Sequence, residues 1–251
     1  GLASNSGLIQ LGGGTFDNNA MGMTNAASGS IMGNGMVKTG ALGNMGTIEA
    51  HGGTLTLIAA GAANGAGAWI LANAGATVLY QNGLASNSGL IQMGGGTFDN
   101  NGLSVTNAAS GSIVGNGMVK TGGVANMGTI RALHGTLVLT GTGATNVAGA
   151  SILAGSGTRV LYESGLALNS GLIQLTGGTF DNNGFGMTNA PAGSILGNGM
   201  VKTAGLANTG TIQAQGGALM LTGRGATNVA GGSVIAHAGA TVFYESGLAS
   251  N

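Results

Sequence analysis

Few side chains in this chain are equipped for chemistry, and most of those recur at equivalent places of a tandem repeat. Asp17, Asp99 and Asp181 each stand in the string TFDNN. An aspartate followed by two asparagines offers several oxygens to a hard cation such as calcium. One acid per repeat is a poor cage, however, and GGGTFDNN lacks the glycine spacing and nine-residue recurrence of calcium-binding solenoids. The expectation is an Asx turn at a corner of the chain, with no metal held. Lys38, Lys120 and Lys202 recur in GNGMVKT, which superficially resembles a phosphate loop. Valine stands where such a loop needs glycine before its lysine, and no helix is expected to follow. The lysines are read as charges that keep a strand edge or surface soluble.

The other reactive residues are scattered. His51, His134 and His237 fall at three different positions of the repeat, so they form no ladder and share no metal; they read as surface substitutions. Glu49, Glu163 and Glu245 never place two acids in one motif, whereas acid–base catalysis on a glycan needs convergent carboxylates. No catalytic residue, cofactor site or metal site is assigned, and enzymatic activity is not expected. Trp69 is the sole tryptophan and is replaced by Ser151 and Ser233 in the later repeats, so no aromatic platform recurs. Thr47, Thr129 and Thr211 raise an ice-binding alternative, which needs threonine on one face of every coil; the threonines do not recur that often.

The elements that carry these residues follow from composition. Of 251 residues, 55 are glycine and one, Pro191, is proline; 43% are hydrophobic and only 5% charged. Ordinary soluble domains carry roughly 25% charged residues. Apolar content this high is enough to build a core, so the chain is expected to fold. Glycine costs about 1 kcal/mol relative to alanine inside a helix, which leaves strands and turns as the favoured elements. Six basic and six acidic residues cancel, so no field selects nucleic acid or anionic lipid. Cysteine is absent, which excludes disulfide frameworks and thiolate metal sites. No signal segment is expected in this stretch, and no apolar run long enough to insert in a membrane.

The organising feature is the repeat itself. GLASNSGLIQ at Gly1 returns unchanged at Gly83 and as GLALNSGLIQ at Gly165, and GLASN begins again at Gly247. The segments 1–82, 83–164 and 165–246 align without insertion, with 57 of 82 positions identical between the first two, and 247–251 open a fourth copy. The whole of 1–251 is expected to be one structure, an excerpt of a longer array. Inside each unit an Asn or Gly turn precedes a short apolar strand four times: NSGLI at Asn5, NAASGSI at Asn25, NMGTI at Asn44 and NGAGAWI at Asn64. Ile9, Ile31, Ile48, Ile70 and Ile91 recur at intervals of 22, 17, 22 and 21 positions, which predicts four coils of about twenty residues per unit. Asn34-Gly35, Asn116-Gly117 and Asn198-Gly199 are expected at corners that require positive φ.

Comparing the units separates inward from outward positions, because constant and variable residues alternate with period two. Ile48, Ile130 and Ile212 are constant while their neighbours read Glu49, Arg131 and Gln213. Leu55 and Leu57 recur, whereas Thr56 becomes Val138 and Met220; Val78 and Tyr80 recur, whereas Gln81 becomes Glu163 and Glu245. The fold class predicted is all-β, a right-handed parallel β-helix (β-solenoid) of about twelve coils and roughly 60 Å length.

GGTFDNN, GSIMGNGMVKT, NMGTIEAHGGTLTL and GATVLY resemble, along the whole chain, the repeats of filamentous-haemagglutinin-like and autotransporter passenger domains. That resemblance implies export to the bacterial cell surface or beyond, and roles in adhesion, aggregation or competition. The near-identity of the units favours a structural stalk, spacer or self-assembling fibre. An adhesin binding a receptor or glycan on a host or neighbouring cell is the alternative; ice binding and a glycan-active enzyme are remoter ones. The expected partner is the chain itself, end to end and laterally, because the edges lack charged or covering segments and the net charge is zero.

The face assignment has a direct test. Ile48→Asp should fray or unfold its coil at a cost of more than about 4 kcal/mol, and Glu49→Lys should be tolerated, at a cost below about 1.5 kcal/mol. Equal melting temperatures for the two variants would mean the faces are reversed.

Overall fold

The turn-and-strand pattern resolves into one continuous stack. The computed structural model describes residues 1–251; it has no helix, 65% of its residues are in strands, and the chain forms about twelve turns of a parallel β-solenoid. Each strand pairs in parallel with its counterpart one coil away, so the backbone hydrogen bonds run along the axis. The first unit shows the pattern: Leu8–Asp17 pairs with Ser30–Asn44, which pairs with Thr47–Asn64, which pairs with both Trp69–Asn73 and Thr77–Tyr80. Each coil advances by the separation of paired strands, about 4.8 Å, so four coils advance about 19 Å.

The isoleucines predicted to mark the coils lie in direct register. Ile9, Ile31, Ile48, Ile70 and Ile91 stack one on the next. The column continues through Ile113, Ile130, Ile152, Ile173, Ile195 and Ile212 to Val234. Every isoleucine of this column from Ile31 to Ile212 is fully buried. Leu55, Leu57, Val78 and Tyr80 join the same hydrophobic core, and Glu49, Thr56 and Gln81 lie on the outer side, as the alternation required. The β-branched side chain suits a position where every neighbour along the axis is a copy of itself.

A second column departs from the sequence expectation. The asparagines that open the four motifs, read from sequence as turn residues, are buried and face inward at the corner. Asn5, Asn25, Asn44, Asn64 and Asn87 are linked Nδ2 to Oδ1 at 2.7–2.8 Å. The chain of amides then runs through Asn107, Asn126, Asn146, Asn169, Asn189, Asn208 and Asn228 to Asn251 at the same distances. The second Nδ2 hydrogen donates to a backbone carbonyl of the next coil, such as Ser30, Thr47 or Trp69, one residue before the stacked isoleucine. Buried amides are thus satisfied on both groups, which is the condition for burying them at all.

The corner after each ladder asparagine alternates in length. Ser6 and Gly7 alone separate Asn5 from the strand Leu8–Asp17, whereas Ala26, Ala27, Ser28 and Gly29 separate Asn25 from the strand at Ser30. The alternation repeats through the stack and underlies the uneven isoleucine spacing, while the ladder asparagines themselves follow one another at intervals of 20, 19, 20 and 23. Gly29 closes the longer corner because a Cβ there would lie 2.2 Å from the Asn5 carbonyl oxygen. At the Gly-Asn-Gly strings the chain bends inside a strand. Gly33 and Gly35 take φ of 110° and 132°, while Asn34 keeps a negative φ; a Cβ on Gly33 would collide with the Leu11 carbonyl at 2.0 Å. These are corners, as expected, but the glycines and not the asparagine carry the unusual backbone.

Removing one rung should therefore cost more than a surface change. Asn107→Ala leaves the Asn87 Nδ2 and Asn126 Oδ1 without their buried partners, and a loss of about 3 kcal/mol is expected. Ser110→Ala, at an exposed corner, should change stability by less than about 0.5 kcal/mol. Denaturant melts would compare the two, and hydrogen exchange should show the Asn107→Ala opening centred on the coils above and below.

Candidate functional site on the outer surface

The three TFDNN corners are Asx turns, each tied to the next coil by an ion pair. Asp17, Asp99 and Asp181 accept the backbone N–H of Asn19, Asn101 and Asn183 at 2.8–2.9 Å through Oδ1. Their Oδ2 atoms accept Lys38, Lys120 and Lys202 at 2.9–3.0 Å, because those residues are in register one coil on. The lysines are therefore partners of the corner acids and not free charges guarding a strand edge. The asparagine after each acid is buried and also committed: Asn100 Oδ1 accepts the N–H of Leu84, and its Nδ2 donates to the carbonyls of Leu84 and Leu103. No group of three acids or histidines converges anywhere on the chain.

Two of these acids, Asp17 and Asp181, are shifted by their partners. The hydrogen bond from Lys38 holds the Asp17 carboxyl below the usual range, helped by the Asn19 N–H. Burial pushes Asp181 up, but the N–H of Asn183, the Lys202 ammonium and the charge of Arg159 outweigh it and leave the carboxyl below its ordinary value. Arg159 reaches Asp181 at 2.8 Å and replaces the threonine found at Thr77 and Thr241.

The remaining chemistry lies in the third and fourth coils of each unit, part of it on the outer side of the isoleucine sheet. Every difference between units that changes a charge, a histidine or the tryptophan falls between Glu49 and Gln81 of the first unit and the equivalent positions later. In the first unit Glu49 Oε1 accepts Asn73 Nδ2 at 2.7 Å and faces His51 Nδ1 at 3.8 Å. In the second, Arg131 is exposed and lines a shallow groove with Leu153, Gly155, Gln174 and Thr176. In the third, Gln213 contacts His237 at 2.6 Å. The three histidines are all exposed, as expected for surface substitutions, and the structure brings no two of them together. Trp69 is 47% exposed on the same face, in register with Thr47. Sequence reasoning treated Glu49, His51 and Trp69 separately and passed over Asn73, because 24 residues of chain separate Glu49 from Asn73 and only the coil register joins them.

The tyrosines serve the core. Tyr80 and Tyr162 are buried against Phe98 and Phe180, with ring centroids 5.8 Å apart, and their hydroxyls have no partner. The geometry defines a parallel β-solenoid with two axial ladders and a chemically variable outer face. No protein family, curated protein sequence or solved structure matches the chain.

Burial pushes the Tyr80 and Tyr162 hydroxyls well above the ordinary value of 10.0, and raises Tyr244 as well. The neutral phenol is the form the fold accommodates. Its contribution to stability is fully present below the unfolded value and is lost as pH rises from there through the raised folded values. In a Tyr244→Phe variant, which removes the half-buried third phenol, phenolate absorbance should stay absent near pH 10 and then appear together with loss of the β circular dichroism. Early ionisation in a folded chain would contradict the packing.

Proposed function

We propose that this chain is a non-enzymatic, length-setting rod from a large bacterial surface protein, acting as a stalk, spacer or self-assembling fibre. The supporting observation is the pair of ladders, one asparagine and one aliphatic side chain per coil, unbroken from the first unit to the third. Each unit makes the same two sets of ladder contacts as its neighbours. Adding or removing one unit therefore changes length by about 19 Å and leaves the cross-section alone.

Placement outside the cell or on its surface follows from the resemblance to filamentous-haemagglutinin-like and autotransporter repeats. The nearly uncharged sides suit association with further copies, end to end or laterally. A second reading, an adhesin module, is favoured by one specific observation: the changes of charge, histidine and tryptophan are confined to one stretch of each unit.

The rod reading is tested by length. Versions with one, two and three units, displayed on a bacterial surface under a terminal label, should raise that label by about 19 Å per unit. A height independent of unit number, with saturable binding of the purified chain to host cells, would replace it with the adhesin reading.

A further inference from the structure

The first unit differs from the others on its outer face in a way that builds a site. The strand Trp69–Asn73 points alternate side chains outward: an aromatic ring at Trp69, an aliphatic one at Leu71 and an amide at Asn73. Outward neighbours on a strand are about 6.6 Å apart, and adjacent coils about 4.8 Å. Leu71 is in register with Glu49 on the coil before and with Gln92 on the coil after. A partly exposed aliphatic floor is thereby enclosed on four sides by Trp69, Asn73, Glu49 and Gln92.

We infer that this platform is a binding site for one pyranose residue of a neutral glycan. A pyranose has an apolar C–H face that stacks on an indole, and a rim of hydroxyls that both donate and accept. The platform offers the matching set. Trp69 supplies the stacking wall, Glu49 accepts, and the amides of Asn73 and Gln92 do both. The Asn73–Glu49 hydrogen bond at 2.7 Å holds both side chains in place before a ligand arrives, which lowers the ordering cost of binding.

A cationic ligand is the competing chemistry for a tryptophan beside a carboxylate. It is disfavoured here because a single aromatic wall makes no cage. Units two and three carry Ser151 and Ser233 in place of Trp69, and Gly155 and His237 in place of Asn73, so the site belongs to the first unit alone. The inference stands apart from the rod reading, since a rod without a ligand remains a rod.

Trp69 is the only tryptophan, so its fluorescence reports on this site without interference. The full chain would be titrated with gluco-, galacto-, manno- and N-acetylglucosamine-configured oligosaccharides, and separately with tetramethylammonium. At least one sugar series should give a saturable change, confirmed by calorimetry. Trp69→Ser, which installs the residue of the other units, should lower affinity by at least about tenfold with an unchanged melting temperature. Glu49→Gln should lower it several-fold. The inference is overturned if no sugar gives saturation, if only tetramethylammonium does, or if Trp69→Ser binds as the parent does.

Discussion

Side-chain amides hydrogen-bonded to their own copies one coil away set the terms for the rest of this molecule. An amide ladder works only if successive rungs repeat at the strand spacing of about 4.8 Å, and that is what parallel strand pairing supplies. In return, each rung fixes the phase of its coil. Asn107 cannot hold both Asn87 and Asn126 unless partners 20 positions before it and 19 after it come into line. Register in a parallel stack is otherwise weakly specified when side chains are small and glycine is frequent. A buried polar group that is satisfied only in one alignment removes that freedom, while the isoleucine column supplies apolar burial that would tolerate some slippage.

The alternation of corner length has a surface counterpart. Coils entered through the shorter corners carry Gln10, Glu49, Gln92, Arg131, Gln174 and Gln213 just after the stacked aliphatic residue; coils entered through the longer ones carry Met32, Leu71, Val114, Leu153, Leu196 and Ile235 there. Polar and apolar side chains therefore alternate along the outer face with a period of two coils, about 9.6 Å. The first two coils of each unit keep Asp and Lys paired across the same corner. The last two are where chemical change is concentrated, on strands whose inward residues hardly vary.

Much of the fold was legible in the sequence, because it is written three times. Indel-free repetition yielded the coil count, and the contrast between Ile48 and Glu49, or Leu57 and Thr56, separated the faces before any coordinates. The inward asparagines escaped because an Asn shortly before a Gly, as in Asn5-Ser6-Gly7 or Asn44-Met45-Gly46, is also what a surface turn looks like, and nothing local distinguishes a buried amide from an exposed one. The available signal was periodicity: Asn recurs once per coil, at intervals between 19 and 23, and always shortly before the stacked aliphatic side chain. The pairing of Asp17 with Lys38 and of Glu49 with Asn73 was hidden for a different reason. Both join adjacent coils, and corner lengths must be known before positions 21 or 24 apart can be placed side by side.

The amide ladder is also directional. In every rung the Nδ2 of one asparagine points to the Oδ1 of the next coil toward the C-terminus, and none is reversed. The amide dipoles therefore add along the axis and polarise one another, as peptide dipoles do in a helix. Cutting such a rod between any two coils leaves an N–H donor on one face of the break and a carbonyl acceptor on the other. The two broken faces are complementary in one orientation and no other, so each rod carries an arrow that survives fragmentation.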